Sequence, residues 1–476
     1  MIETVPIEIA RLPLLTPADP QRPVAWRNGR SVSVAEFLGH AAAIAQRLPP
    51  GEAMINLCED RYRFIAAYAA ALSREHTVLL PASRADDIVH EVELAQRGAY
   101  RWDDADVEAT LATLDATSAA VFGASLAVTA AGIPSAVGDR VVMIGFTSGS
   151  TGQPKRFPKL WRSVHGSNAC NAAVMRAALS LEPDAVAWIV ATVPPQHMYG
   201  MELSVLLPLI GGMAVHAGRP LFPADIAAAL ADIPEPRVLV STPLHLRAMV
   251  ESDQVFPATV LIISATAPLD AELAARVEAR FGGQLLEMFG ATETCIFASR
   301  RTATQTSWAL YPRVTLAPQD DGTLVNAPWF AEPTLLQDVV VLEPHDHFTV
   351  RGRNSDVIEV AGKRASLADL TRRVLAIDGV IDAVVFQPDA EAVATIRRVA
   401  ALVVAPGLSA KEVLARLAPG VDPAFLPRPL RVVERLPRNE VGKLAREKLL
   451  EMIRPILLPR RPHLSPPPAT GGGDRS

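Results

Sequence analysis

Short apolar runs alternate with amphipathic segments through the middle of the chain. The runs are rich in β-branched residues and begin at Val141, Ala187, Arg237, Val260 and Gln284. Each has the length of a buried strand. The clearest amphipathic segment lies at 270–281, where apolar residues recur at helical spacing. This alternation predicts α/β layering, in which strands and helices take turns along the sequence.

The two ends of the chain add a second pattern. Segments 34–48 and 61–72 predict helices that cover the same body. Beyond residue 338, three further strand patterns lie at 347–352, 356–362 and 397–405, with helical patterns at 366–375 and 410–417. We therefore expect a large N-terminal domain over 1–352 and a small α+β domain over 353–454. Residues 455–476 are rich in Pro and Gly and predict a disordered tail.

Composition narrows the class of protein. The 476 residues exceed what one hydrophobic core spans, and the content of 49% hydrophobic and 20% charged residues with a net charge of −5 is typical of an enzyme. Basic residues are spread along the chain, which argues against nucleic-acid binding. The apolar stretch 64–72 is too short to span a bilayer. Cys58, Cys170 and Cys295 fit neither a disulfide framework nor a metal cluster, so we expect a reducing cytoplasm.

Residues 147–155, TSGSTGQPK, form the most informative segment. Gly149 and Gly152 would let the backbone approach a polyphosphate, and Lys155 would supply positive charge. The segment also offers hydroxyl donors at Thr147, Ser148, Ser150 and Thr151. The alternative is a flexible Ser/Gly surface loop. A Walker-type loop is excluded because its spacing does not occur.

This segment resembles the phosphate loop of the adenylate-forming superfamily, which includes acyl-CoA synthetases, aryl-CoA ligases, luciferases and nonribosomal adenylation domains. FGATE at 289–293 resembles a second motif of that family. The resemblance implies that Phe289 and Gly290 lie near the adenine, Thr292 near phosphate, and Glu293 at Mg²⁺, with Thr147 as a second candidate for the metal. A carboxylate is the oxygen ligand that such a cation needs.

Two later segments extend the resemblance to most of the chain. LLQDVV implies that Asp338 holds the ribose, and the segment at 352–362 implies that Arg353 contacts nucleotide near a hinge between domains. The hinge position, commonly Asp or Lys in the family, falls on Ser355. LPRNEVGKLARE at 436–447 resembles the C-terminal motif whose lysine reaches the active site, a role that falls on Lys443.

The resemblance implies a fold and a reaction together. The expected fold is a large N-terminal domain of layered mixed sheets and helices with a small mobile α+β C-terminal domain. The expected reaction uses ATP and Mg²⁺ to convert a carboxylic acid to an acyl- or aryl-adenylate. The acyl group then passes to the thiol of CoA or of a carrier-protein phosphopantetheine, and a closing C-terminal domain shields the adenylate from water.

Two segments predict the class of the acid substrate, and a third bears on the acceptor. VPPQHMYGME at 193–202 resembles the acyl-pocket region, with His197 at the aromatic or gating position, and it contains no acid before Glu202, which disfavours α-amino acids. SATAP at 264–268 replaces a glycine-containing loop and suggests a compact aryl acid such as a hydroxybenzoate. PKRFPKLW also resembles ligases of aryl-polyene or related pigment clusters, which load a carrier protein.

Three alternatives remain open from the sequence. One is a fatty-acyl-AMP ligase or acyl-CoA synthetase for aliphatic acids. Another is an enzyme that stops at the adenylate or passes the acyl group to something other than a thiol. The third is a non-catalytic nucleotide-binding protein on the same scaffold.

Overall fold

The chain folds into two compact units. The first extends through Arg351, and the second contains Gly352–Asn439 and the chain from Leu444. The computed structural model describes residues 10–16, 19–114, 134–147, 155–319, 322–353, 357–360, 363–388, 399–439, 442 and 444–457.

The strands are numbered in chain order. They are β1 (Arg11–Pro13), β2 (Pro23–Arg27), β3 (Arg30–Ser33), β4 (Ala53–Asn56), β5 (Thr77–Leu80), β6 (Tyr100–Trp102), β7 (Ser135–Val137), β8 (Val141–Thr147), β9 (Lys155–Leu160), β10 (Trp188–Ala191), β11 (Ala214–His216), β12 (Arg237–Ser241), β13 (Leu261–Ser264), β14 (Gln284–Ala291), β15 (Cys295–Arg300), β16 (Trp308–Leu310), β17 (Thr315–Gln319), β18 (Gly322–Asn326), β19 (Thr334–Leu336), β20 (Asp338–Glu343), β21 (His347–Arg353), β22 (Val357–Val360), β23 (Lys363–Ser366), β24 (Asp382–Phe386), β25 (Ala400–Val404) and β26 (Leu430–Val432).

The helices are numbered in the same way. They are α1 (Val34–Arg47), α2 (Arg61–Ser73), α3 (Asp86–Ala95), α4 (Asp104–Leu111), α5 (Trp161–Leu179), α6 (Met198–Met201), α7 (Leu207–Ile210), α8 (Pro223–Asp232), α9 (Pro243–Glu251), α10 (Ala271–Phe281), α11 (Leu367–Leu375), α12 (Ala410–Leu417) and α13 (Arg446–Leu457). A π-helical turn, Glu202–Leu206, joins α6 to α7.

An eleven-stranded sheet forms the centre of the first unit, in the order β20-β21-β16-β15-β14-β13-β12-β10-β11-β2-β3. The strands from β14 to β2 are parallel to one another. All four residues of β10 and of β13 are buried. Burial on both faces explains why these strands read as continuous apolar runs rather than as alternating patterns.

A five-stranded sheet in the order β6-β4-β5-β8-β9 lies in the same unit. Strand β8 runs parallel to β5 and antiparallel to β9, where Thr147 is paired with Lys155. The predicted phosphate loop therefore connects the two strands of an antiparallel hairpin. The apolar run at Val141 consequently belongs to a different sheet from the other four runs.

Helix α2 packs against strands of both sheets, contacting β4 and β5 on one side and β11 on the other. Its side chains are almost entirely buried, including a run of alanines at 69–71. Small side chains let a helix approach strands on both sides without overpacking. The helix begins at Asp60, whose side chain accepts a hydrogen bond from the Arg63 amide.

The second unit is a small α+β structure with a three-stranded sheet, β24-β25-β26, and the hairpin β22-β23. Strand β25 is buried on both faces. Ala401 and Val403 share a core with α11 and α12, and Leu402 shares another with α13. The alternation along β25 thus places helices on opposite faces of the sheet.

The predicted fold class is confirmed as α/β, with mixed sheets, helices and a separate C-terminal unit. Helix α13 continues to Leu457, so residues 455–457 are helical, and the rest of the predicted tail lies outside the described residues. Among the described residues, no helix is both long and apolar enough to cross a membrane.

Arg61, at the first position of α2, has no exposed surface, and burial lowers its pKa to about 9. Its guanidinium donates to the carbonyls of Ala191 at 2.9 Å and Val193 at 2.8 Å, and to the Ser204 hydroxyl. Arg61→Met would leave these three buried acceptors without a hydrogen-bond donor. We therefore expect this substitution to lower the free energy of unfolding by about 3 kcal/mol.

Chemical denaturation measures this loss. The control is Arg47→Met, because Arg47 is exposed and donates to a single carbonyl, that of Ala109. Equal stability losses in the two variants would contradict the assigned role of Arg61.

Candidate active site

Four segments meet at one edge of the large sheet. Strands β10, β12, β13 and β14 are parallel, so their carboxyl ends lie at the same edge. The segments that follow these ends contain His197, Thr242, residues 265–268 and Thr292. Ligands of open α/β sheets bind at this edge, where the loops are free to carry polar groups.

The FGATE residues occupy the end of β14 and the tight turn into β15. Thr292 and Glu293 lie in the turn and are half-buried. The turn is closed by Thr294, whose hydroxyl accepts from the Ala291 amide at 3.1 Å and whose amide donates to the Ala291 carbonyl at 3.2 Å. The turn therefore presents the threonine and the carboxylate from a backbone fixed by its own hydrogen bonds.

Gly290 and Phe289 lie inside β14, at a bulge in its pairing with β15. Gly290 thus lies in the strand, one residue before its end. A Cβ at Gly290 would clash with the Cys295 carbonyl, so glycine permits the close approach of the two strands. The Phe289 ring packs at 4.9 Å from Trp308 and 5.5 Å from Phe348, which fixes its orientation.

The phosphate-loop hairpin lies beside this turn. A Cβ at Gly145, on β8, would lie 3.1 Å from the Thr292 methyl and 3.7 Å from Met198, the residue after His197. Three predicted site segments are therefore neighbours. Lys155 is exposed at the start of β9. The predicted phosphate contacts Ser148, Gly149, Ser150, Thr151 and Gly152 lie outside the described residues.

Lys159, further along β9, links the hairpin directly to the turn. Its side chain is only 5% exposed, and its ammonium donates to the Glu293 carbonyl at 2.6 Å. A bond of this kind is charge-assisted and stronger than one between neutral groups. The strand that leaves the phosphate loop is thereby tied to the backbone of the residue predicted to serve the metal.

Other predicted residues lie farther from the turn or beyond what can be described. Asp338 begins β20, and three strands separate it from β14 in the sheet. Arg353 ends β21. Ser355 and Lys443 lie outside the described residues. The roles of Asp338 in ribose binding, Arg353 in nucleotide binding and Lys443 in adenylation stay predictions.

Polar side chains line the ends of β10 and β12 near His197. The Tyr199 hydroxyl donates to the Ser241 carbonyl at 3.0 Å, and the hydroxyls of Thr192 and Ser241 are 3.0 Å apart. The Ser264 hydroxyl, at the end of β13, is buried without a hydrogen-bond partner among the described residues. These groups lie at the same edge of the sheet as the turn, where the parallel strands end.

The residues of the turn fit a magnesium ion that arrives with ATP. Mg²⁺ prefers oxygen ligands, keeps several waters, and is held by one or two carboxylates together with substrate phosphates. Glu293 provides such a carboxylate at a partly exposed turn. Within the described part of the chain, no group of three or more His, Cys, Asp or Glu side chains could form a closed metal cage. A single carboxylate at this turn suits a metal that shares its remaining ligands with substrate phosphates and water.

A family profile described as AMP-binding enzyme matches residues 18–326. The chain belongs to the AMP-binding enzyme family. This membership confirms the resemblance to adenylate-forming enzymes that the motifs carried. With CoA ligases among the relatives, it also confirms the prediction of an AMP-forming acid–thiol ligase.

Named relatives of this AMP-binding enzyme act on aromatic acids. The 4-coumarate–CoA ligase of Rhodobacter capsulatus is 29% identical over 302 residues, covering 62% of this chain and 73% of that protein. The p-hydroxybenzoic acid–AMP ligase FadD22 of Mycobacterium marinum is 27% identical over 353 residues, covering 66% and 49%. The solved structure of o-succinylbenzoate coenzyme A synthetase (MenE) from Bacillus subtilis with AMP has a TM-score of 0.74 at 18% identity, covering 92% and 98%. The structural likeness confirms the fold.

A buried carboxylate, Glu202, holds the first residues of β15, directly after the turn of this AMP-binding enzyme. Glu202 is 2% exposed and accepts hydrogen bonds from the Ser167 hydroxyl at 2.6 Å, the Asn171 amide at 3.2 Å and the Ile296 backbone amide at 3.1 Å. Burial raises the pKa of its carboxyl, and the hydrogen bonds and the Lys159 charge lower it to a lesser extent. The π-helical turn, α5 and β15 are joined through this one side chain.

Sequence reasoning missed the contributions of Lys159 and Glu202. A partial signal exists in α5, where Ser167 and Asn171 lie four residues apart between apolar positions and so share a face. Two polar residues on a buried helix face require a partner. The partner itself is 31 residues away from Asn171 and cannot be read from spacing.

The raised pKa of Glu202 predicts a pH dependence of stability. Because the folded chain holds this proton more tightly than the unfolded chain, the stabilisation is complete below the ordinary glutamate pKa and is lost as the pH rises through the folded-state pKa. Glu202→Gln removes this titration. We expect the Tm of Glu202→Gln, relative to that of the unmodified enzyme, to improve as the pH rises from about 5 to about 8.

Thermal unfolding across this pH range tests the expectation. Glu91→Gln, at an exposed glutamate, is the control and should follow the unmodified enzyme. A constant Tm difference between Glu202→Gln and the unmodified enzyme would exclude a raised pKa at Glu202.

Proposed function

We propose that this AMP-binding enzyme joins a compact aryl carboxylic acid, such as a hydroxybenzoate, to a thiol. In the first step, a carboxylate oxygen of the acid attacks the α-phosphorus of ATP. The new O–P bond replaces the bond to pyrophosphate, which departs. In the second step, the thiol sulfur attacks the carbonyl carbon, its proton is released, and AMP leaves with the bonding electrons.

The observation that carries this proposal is the contact between the phosphate-loop hairpin and the Glu293 turn. The Lys159–Glu293 bond and the closeness of Gly145 to Thr292 bring two motif segments together that are far apart in sequence. Adenylation needs donors and charge around a polyphosphate. Lys155 and Thr292 are candidates for binding the phosphates. Mg²⁺, when bound at Glu293, neutralises charge on the phosphate oxygens.

The environment of Glu202 supports a carboxylic acid substrate that has no ammonium group. Amino-acid activation needs an accessible carboxylate, whereas both oxygens of Glu202 already accept from the Ile296 amide and one also from Ser167 and Asn171. Ala265 is buried at the end of β13, consistent with a compact pocket. The names of the relatives, a 4-coumarate ligase and a p-hydroxybenzoic acid ligase, support an aromatic substrate.

We propose CoA or a carrier-protein phosphopantetheine as the acceptor. Both present the same thiol on the same pantetheine arm, so the chemistry of the second step is shared. Residues 154–161, PKRFPKLW, favour the carrier protein through their resemblance to ligases of pigment clusters. The cytoplasm is the proposed location, since Cys58, Cys170 and Cys295 are free thiols.

Acid-dependent pyrophosphate release tests the proposed reaction. We expect release with ATP, Mg²⁺ and hydroxybenzoates or cinnamates, and little release with fatty acids or α-amino acids. Addition of CoA or holo-carrier protein should then yield one thioester. Glu293→Gln is the control for background hydrolysis. Release with fatty acids alone would replace the aryl substrate by an aliphatic one, and no release with any acid would contradict the ligase activity.

The proposed role of Lys443 is tested by separating the half-reactions. Its ammonium is expected to stabilise charge during adenylation and not during thioester formation. Lys443→Ala should therefore slow pyrophosphate release by at least about 100-fold, while thioester formation from supplied aryl-AMP changes by less than about threefold. Lys411→Ala, at an exposed lysine of the second unit, is the control. Equal loss in both half-reactions would contradict the role.

A further inference from the structure

Lys159 occupies a position where a charged side chain is expensive to bury. It is paired with Met143 across the β8–β9 hairpin and is almost entirely buried. In the described part of the chain its ammonium has no carboxylate within 4 Å. A neutral donor would satisfy a backbone carbonyl without the desolvation of a cation. The charge of Lys159 therefore calls for an explanation beyond the hydrogen bond that it makes.

Two buried charged groups from separate parts of the chain bond the backbone in the turn and just after it. Lys159 binds the Glu293 carbonyl, and Glu202 binds the amide of Ile296, three residues later. The electrostatic interaction between Lys159 and Glu202 lowers the pKa of the Glu202 carboxyl. The turn is consequently fixed at both ends, relative to β9 on one side and to the π-helical turn on the other.

The fixed turn has a consequence for the metal. Groups that ligate a metal must be held within about 0.5 Å of the productive geometry, and the residues that support them set this precision. Strand β9 begins where the phosphate loop ends, and Lys159 is its fifth residue. The Lys159 side chain therefore connects β9 directly to the Glu293 backbone.

We propose that Lys159 is a positioning residue for Mg²⁺–nucleotide binding: by bonding the Glu293 carbonyl, it sets the Glu293 carboxylate in register with the phosphate-loop hairpin. This proposal rests on the proposed function of the site. Lys159 itself contacts neither metal nor substrate in this role. Its charge strengthens the bond to the carbonyl and is offset by the nearby carboxylate of Glu202.

The test compares nucleotide binding with and without the metal. The probe is α,β-methylene-ATP, which cannot transfer its adenylyl group to an acid, and its affinity is measured by calorimetry in excess Mg²⁺ and in EDTA. For Lys159→Met we expect the Mg²⁺-dependent gain in affinity to fall by about tenfold, as is typical for residues that support a metal ligand. The affinity in EDTA should change by less than about twofold. Lys159→Arg, which keeps the charge and the donors, should retain most of the gain.

The matched control is Arg22→Met. Arg22 is also a buried cation, and it donates to the carbonyls of Met213 and Pro208, away from the turn. Its loss should lower Tm without altering the Mg²⁺-dependent gain. If thermal unfolding shows that Lys159→Met does not fold, Lys159→Gln takes its place, since glutamine keeps a donor and lacks the charge.

The possible outcomes separate the two proposals. An unaltered gain in Lys159→Met, or an equal loss of affinity with and without Mg²⁺, would overturn the positioning role alone. Failure of the unmodified enzyme to bind the nucleotide at all would overturn the proposed function. A loss confined to the metal-dependent part, with recovery in Lys159→Arg, supports the positioning role.

Discussion

The hydrogen bonds that converge on the β14–β15 turn hold the candidate site together. This turn carries Thr292 and Glu293 and follows a bulge at Phe289–Gly290, beyond which β14 and β15 pair again up to Ala291 and Cys295. Two side chains from outside this strand pair add further bonds: Lys159, from β9, binds the Glu293 carbonyl in the turn, and Glu202, from the π-helical turn, binds the Ile296 amide in β15. The bonds within the turn fix its local backbone, and these two side chains fix that backbone relative to β9 and the π-helical turn.

Burying these groups together carries an electrostatic penalty that the structure offsets locally. Glu202 satisfies both oxygens with three donors, and the adjacent Lys159 supplies the opposite charge. Cys295 lies in the same environment, where burial raises the pKa of its thiol to about 12 and keeps it neutral. A fully bonded polar cluster of this kind is rigid, since any displacement leaves a buried group without its partner. Rigidity here fixes the backbone that carries Glu293, the residue proposed to serve the metal.

The parallel strands and the antiparallel hairpin contribute different parts of the site. Strands β10, β12, β13 and β14 bring their carboxyl ends to one edge of the sheet. The two segments predicted to line the acid pocket, 193–202 and 264–268, and the turn therefore lie at this edge. The phosphate-loop hairpin comes from the five-stranded sheet. Helix α2 fills the space between the two sheets with alanines, and Arg61 bonds the carbonyls just before the His197 segment. The site thus depends on the packing of two sheets against one helix.

Much of the fold was predictable from local pattern. The strands from Val141, Arg237 and Gln284 and the helix at 270–281 lie where apolar spacing predicted them, because a strand or a helix with one buried face imposes its own period on the sequence. The family followed from nine residues, TSGSTGQPK, supported by FGATE, since phosphate and metal chemistry restrict the residue types that can serve.

The spatial relations of these segments were decided by the tertiary structure alone. The sequence pattern predicted five strand runs without assigning them to sheets, and the fold placed the run at Val141 in a separate sheet from the other four. Lys159 and Glu293 are 134 residues apart, and Glu202 and Ile296 are 94 apart. No periodicity encodes such a pairing, because it depends on how sheets and helices pack and not on any local conformational preference. The sequence by itself determined the chemistry of the site, and the packing decided which buried side chains hold it in place.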